Sequence, residues 1–243
     1  VGGPMRISRS GSPGPLHDLL TSAAAAAGIN VHDDYNDGSS EGIAQSEMFI
    51  SNGERHSSAA AFIRPALRRC NLTVVTGARV QRIIVANRSA VGVIYHQHGA
   101  IHQVSCDKEI ILCGGTFNSP QILMLSGVGP ADHLREMGIE VNLDLSAVGQ
   151  NMEDHVDCAV AISLDQKISL DGALRLDRIA TTGVRWMLNR SGLGGTIPVT
   201  SVGFVRVRPE SERPDVEMIF TPTSPLAMPW FPGIRHRTGH SFG

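Results

Sequence analysis

Cysteine is scarce in this chain of 243 residues. Cys70, Cys106, Cys113 and Cys158 make no CxxC pair, which argues against a disulfide framework and leaves buried free thiols as the expectation. Lysine is scarcer still, two against 19 arginines, and no block of basic residues stands out. With 21 Lys+Arg against 23 Asp+Glu the formal net charge is −2, which excludes a general binder of nucleic acid or of anionic membrane. Apolar runs stay well short of the roughly 20 residues that a membrane-spanning helix needs. The dinucleotide fingerprint GxGxxG is absent. Gly192-Leu193-Gly194 has Ile197 in the third glycine's place, and Gly127-Val128-Gly129 leads into Pro130-Ala131-Asp132, so both read as turn glycines. No GxSxG nucleophile elbow occurs either.

What is present is a globular composition. Hydrophobic residues are 42% and charged residues 18% of the chain, which rules out general disorder. A chain this long buries about 70% of its unfolded surface. The 26 glycines and 13 prolines speak for many turns and against a helical bundle. Leu16, Leu19, Leu20, Ala23, Ala24 and Ala27 follow the spacing of one helical face, and Gly28 stands where a C-terminal cap is expected. His32 to Asn52 is polar and Gly-rich, with Asp33, Asp34 and Asp37 close together, and reads as an extended covering loop. Ser57 or Ser58 can cap a second helix with Phe62, Ile63, Ala66 and Leu67 on its inner face and a bend at Pro65.

From Leu72 the pattern turns to β. Leu72–Thr76, Val80–Ala86, Val91–His96, Ile101–Cys106 and Lys108–Cys113 are five short strands of a meander, parted by Gly77, Asn87-Arg88-Ser89 and His98-Gly99. The strand ending at Cys113 runs into Gly114-Gly115, with Asn118 or Ser119 as cap and Pro120 as first residue of a helix. Strand, paired glycines and helix N-terminus is an arrangement through which a backbone approaches a nucleotide or phosphate. A short helix around Leu134 and a strand from Ile139 to Leu143 follow. Leu176, Ile179, Ala180, Gly183 and Met187 trace a further helix, and Val199–Arg208 and Val216–Thr221 read as strands. The fold class is mixed α/β, with a division at 157/158.

Other chemical candidates have plainer readings. His96, His98 and His102 lack a carboxylate or thiolate to complete a metal set and read as a solvated hairpin face. Glu153-Asp154-His155 reads as an ordered loop, since adjacent side chains point apart. His236 and His240 fall in a polar tail. Val1 is not an initiator Met and the chain stops at Ser241-Phe242-Gly243, so both ends are expected to be cuts. No signal peptide is visible, and a cytoplasmic location is the expectation.

The segment from Gly115 through Thr116-Phe117-Asn118-Ser119-Pro120-Gln121-Ile122-Leu123-Met124-Leu125-Ser126-Gly127-Val128-Gly129 resembles the second signature of the glucose–methanol–choline (GMC) flavoprotein oxidoreductases. Ser58–Arg69, Asn71–Val80, Gly129–Leu134 and Val148–His155 resemble the same family in the same order. The likeness is strong over about residues 12–160 and looser beyond.

The resemblance implies a partial FAD-binding, Rossmann-like domain with a β-meander over residues 1–157 and part of a sheet-and-helix substrate domain over 158–243. It implies a choline-dehydrogenase-like flavoprotein that oxidises the CH–OH group of a small alcohol by hydride transfer to flavin N5. Val80 matches the position whose backbone holds the adenine, and Gly114 and Gly115 match the turn beside the cofactor. The family's first Gly-rich motif and its late catalytic histidine have no counterpart here, so no residue inherits the role of base. The chain alone is therefore expected to be inactive. Phe204, Trp186 and Trp230 are candidate pocket walls, with core packing the plainer role. The electron acceptor and the alcohol stay open, as do two rival readings: a hydroxynitrile-lyase-type member and a non-catalytic remnant.

Overall fold

The apolar stripe from Leu16 forms helix α1 (Gly14–Ala26). Gly28, at φ +77°, ends it: the Gly28 N–H reaches the Ala25 carbonyl and that of Ile29 reaches Ala24. Two strands follow, β1 (Val31–His32) and β2 (Gly42–Gln45). Next come the meander strands β3 (Arg79–Ala86), β4 (Ser89–Gln97) and β5 (Ala100–Ser105). Helices α2 (Gly115–Leu125), α3 (Ala131–Glu136) and α4 (Leu176–Asn189) lead to the closing strands β6 (Ser201–Val205) and β7 (Val216–Phe220). The computed structural model describes residues 2–9, 14–38, 41–224, 227–231, 233 and 240–242.

The chain forms two compact units, one of Val1–Arg69 with Cys158–Gly243, the other of Cys70–Asp157. Residues 1–69 pack with the C-terminal part, because the four-stranded sheet runs β7-β6-β2-β1 and joins the two stretches. Within it β2 is antiparallel to β6, with Val202 opposite Ala44 and Gly203 opposite Ile43, and parallel to β1. Ile43, Ala44 and Val202 are buried with Leu16 and Ala24 of α1. Gly203 is tightly packed, since a Cβ there would lie 3.0 Å from Met218 and 3.2 Å from Ile43. The stretch expected as a covering loop therefore contains a central strand.

The second expected helix departs from regular geometry. Ala59–Ile63 is a π-helical turn followed by one α turn, Arg64–Ala66. Pro65 has no N–H for the Ala61 carbonyl and its ring crowds that group, which favours the wider turn. Phe62, Ile63 and Leu67, expected on an inner face, are exposed.

In the Cys70–Asp157 unit, β3, β4 and β5 form an antiparallel meander in that order. Its two turns are tight and left-handed: Asn87 and Arg88 at φ +48° and +63°, His98 and Gly99 at +50° and +83°. Three of the five expected strands thus exist. Leu72–Thr76 and Lys108–Cys113 join no ladder among the described residues, and a strand is defined by its partner. Val74, Val75 and Ile111 are exposed there. Cys70, Cys113 and Cys158 are exposed and Cys106 is half-buried, so the expected buried thiols are not found. The expected strand Ile139–Leu143 shrinks to a two-residue parallel pair, Val128–Gly129 with Leu143–Asp144. The fully buried Leu134 of α3 anchors this corner.

Helix α4 forms where expected, but its apolar residues Val184, Met187 and Leu188 are exposed. No helix among the described residues is long and apolar enough to cross a membrane.

Candidate functional site

The two glycines after Cys113 do different things. Gly114 is the N-cap of α2, in right-handed conformation. Its N–H donates to Ser119 Oγ at 3.0 Å, and its carbonyl accepts from Asn118 Nδ2 at 3.1 Å. A Cβ on Gly114 would sit 3.2 Å from the Asn118 Cβ and from the Ser119 nitrogen, so the turn closes on its own helix. Gly115 is the opposite case. Its φ of +84° is left-handed, and a Cβ there would meet nothing within 4 Å. Conformation alone requires glycine at that point. No side chain accepts from the first N–H groups of the helix in the usual capping bond, and Gly115, Thr116 and Phe117 at its start are exposed.

The helix starts at Gly115, not after Asn118 or Ser119 as the sequence pattern implies. Both side chains bond the Gly114 main chain from inside the first turns, and Pro120 is tolerated at the sixth helical position. Val80 lies on β3, the strand against which α2 packs, opposite Tyr95 and next to a bulge that leaves Gln81 unpaired. The two elements are tied by Ser126, whose hydroxyl accepts the Ile83 N–H at 2.8 Å. The three expected residues therefore stand on adjoining elements, with Val80 and Gly115 exposed and Gly114 half-buried. A separate hollow of about 340 Å³ lies between Ile83, Val85, Leu123 and Leu143, and none of the three lines it.

The remaining candidates fall elsewhere. His96 stands opposite Ile101, whereas His102 stands opposite Tyr95 and stacks on it at 5.1 Å, so His96 and His102 face opposite sides of the meander. No group of three His, Cys, Asp or Glu able to hold a metal occurs among the described residues. The His155 N–H donates to Asp154 Oδ1 at 2.8 Å in an exposed loop, the side-chain-to-backbone bonding expected there. His236 lies outside the described residues, and the backbone of His240 belongs to a short strand paired with Ile162–Leu164.

A second concavity of about 680 Å³ belongs to the Val1–Arg69 and Cys158–Gly243 unit. None of the three aromatic residues expected as pocket walls lines it. Trp186 donates its indole N–H to the Gly53 carbonyl at 2.6 Å, under the Arg190 guanidinium at 4.1 Å. Phe204 packs on Tyr35, and Trp230 donates to the Asp171 carbonyl. Ser201, fully buried, meets His17 Nδ1 at 2.7 Å, a pairing across 184 residues that nothing local in the sequence announces.

Residues 1–157 match the family model of the GMC oxidoreductases. The chain is 38% identical over 221 residues to mitochondrial choline dehydrogenase of Homo sapiens, a match covering 91% of this chain and 37% of that protein. It is 36% identical over 222 residues to oxygen-dependent choline dehydrogenase of Rhizobium johnstonii, covering 91% and 40%. In fold it is similar to a variant of Aspergillus oryzae RIB40 formate oxidase studied for FAD modification, with a TM-score of 0.83 and 25% identity over 99% of this chain and 46% of that one. Pyridoxine 4-oxidase from Mesorbium loti shares the fold at a TM-score of 0.76, with 22% identity over 99% and 43%. The chain thus spans about two fifths of the length of the curated relatives it matches. It belongs to the GMC oxidoreductase family.

Proposed function

We propose that this chain carries part of the flavin site of an FAD-dependent oxidoreductase acting on the CH–OH group of a small alcohol. The observation that carries the reading is the open left-handed turn at Gly115, at the head of a helix whose first N–H groups are uncapped. Such donors suit the oxygen atoms of a nucleotide's phosphates, and the missing Cβ leaves the main chain approachable. Gly114 holds the turn rigid through Asn118 and Ser119. The main chain at Val80, an exposed residue on the strand against which α2 packs, is the proposed contact for the adenine. When bound, FAD supplies the acceptance of hydride from the alcohol carbon. The protein's share is to seat the cofactor against these two elements. No residue of this chain is assigned the base.

The relatives named above are dehydrogenases and oxidases, which favours alcohol oxidation over the lyase reading. Choline is the first alcohol to try. The chain with the flanking sequence read from its gene is expected to hold flavin one to one and to reduce a dye with an alcohol, whereas the 243 residues alone hold it substoichiometrically. Gly115→Ala in the longer protein puts an L-residue at φ +84°, costing about 1–2 kcal/mol in that turn, and is expected to lower flavin content several-fold. Flavin content unchanged in Gly115→Ala would remove the physical basis of the site. Full flavin without any alcohol turnover would favour the lyase.

A further inference from the structure

The 680 Å³ concavity falls inside the range of about 300–1,000 Å³ typical of small-molecule pockets. Its floor is aliphatic, with Ile7, Leu16, Ile50, Ile168, Leu170 and Leu193 contributed by separate segments. Every charged residue that lines it is an arginine: Arg6, Arg9 and Arg190, with no Asp, Glu or Lys among the described lining. In a chain of net charge −2 this local surplus of cation is a departure from the average surface.

Two of the three arginines are partly engaged. Arg190 Nε lies 3.3 Å from Glu54 and its guanidinium covers the Trp186 ring. Arg9 lies 3.9 Å from Glu47 and donates to the Asp33 carbonyl at 2.5 Å. Arg6 differs: its backbone N–H bonds His56, while its guanidinium makes no hydrogen bond or ion pair among the described residues. A guanidinium fork matches a carboxylate in plane and spacing, and aliphatic walls exclude water from whatever follows the carboxylate.

We infer that this concavity binds an amphiphilic carboxylate, an aliphatic chain on the hydrophobic floor with its anionic head on Arg6. The inference is independent of the flavin reading, because neither the site nor its test involves the cofactor.

Octanoate, 1-octanol and octylammonium can be titrated into the 243-residue chain by calorimetry, with Trp186 emission as a second signal. Octanoate is expected to bind at least about tenfold tighter than octanol, the value of one charge-assisted hydrogen bond, and octylammonium most weakly. Arg6→Gln, a change at an exposed position with no folded partner to lose, is expected to erase most of the octanoate advantage and leave octanol unchanged. Arg6→Lys is expected to restore part of it. Ile197→Trp, at another lining position, fills the space and should weaken both ligands together. Equal binding of octanoate and octanol, binding indifferent to Arg6→Gln or to Ile197→Trp, or no binding at all, would each overturn the proposal.

Discussion

In Cys70–Asp157 the sheet is made by neighbours: β3, β4 and β5 follow one another through two-residue turns, and each pairs with the next. In the other unit the central ladder pairs Gly42–Gln45 with Ser201–Val205, and the intervening residues include a whole compact unit. The first arrangement closes short loops and the second a long one, so the meander can form locally while β2 and β6 wait for the chain to return. The burial differs accordingly. The long-range sheet buries Ile43, Ala44, Ser201 and Val202, whereas the meander keeps its edge strand β5 exposed throughout. Distance along the chain is offset by better burial.

The sharpest way to break this contrast is to place a charge on each sheet. Val202→Asp puts an unpaired carboxylate among Ala44 and Ile219, its ladder partners on either side. Removing that charge from water costs several kcal/mol, enough to unfold the discontinuous unit. Val104→Asp on β5, at a half-exposed position, is expected to change stability by less than about 0.5 kcal/mol. Thermal unfolding by circular dichroism reads both. A tolerated Val202→Asp would mean that the long-range ladder is not what holds that unit.

A smaller effect tests whether the units are separately cooperative. Leu134 is fully buried in the Cys70–Asp157 unit, against Gly129 in the corner where Val128–Gly129 meets Leu143–Asp144. Leu134→Ala is expected to cost about 2–5 kcal/mol. Amide exchange followed by mass spectrometry should show the loss in β3, β4 and α2, with β2 and β6 still protected. Equal loss of protection in both units would make them one cooperative body.

What could be read in advance follows the same divide. The meander was legible because its turns carry Asn87, His98 and Gly99, residues that favour turns and left-handed backbone, between alternating runs. Helix α1 was legible from its stripe and Gly28. Strand β2 was not: Gly-Ile-Ala-Gln is too short and too small to announce itself, and its partner lies about 160 residues away. Leu72–Thr76 and Glu109–Cys113 show the reverse error, since they have a strand's composition without a ladder partner. At the site, Gly114-Gly115 stood out as a pair, but only coordinates separate the glycine that needs space from the one that needs its dihedral. Arg6, Arg9 and Arg190 gave no signal, because two remote segments, one at residues 6–9 and one at 190, bring them together.

The smallest expected effect concerns the connection between β6 and β7, a local device inside the long-range sheet. Asp215 accepts the Val207 N–H at 2.7 Å, the Ser211 hydroxyl at 3.0 Å and the Arg208 N–H at 3.2 Å. The Val207 N–H is the main reason that its carboxyl titrates below the ordinary range, with the Ser211 and Arg208 bonds adding to it against a partial desolvation. The unfolded chain therefore takes up this proton at a higher pH than the folded one, near the ordinary value of about 3.9. Stability from the Asp215 bonds is complete above that pH and is lost as the pH falls through the lower folded value. Asp215→Asn keeps the shape but weakens the acceptor, so its unfolding midpoint should lie slightly below wild type at pH 7. The gap should narrow as the pH falls below about 4. A gap that is constant from pH 7 to pH 3 would show that the turn is held by the backbone around Arg208–Ser211 and not by the carboxylate.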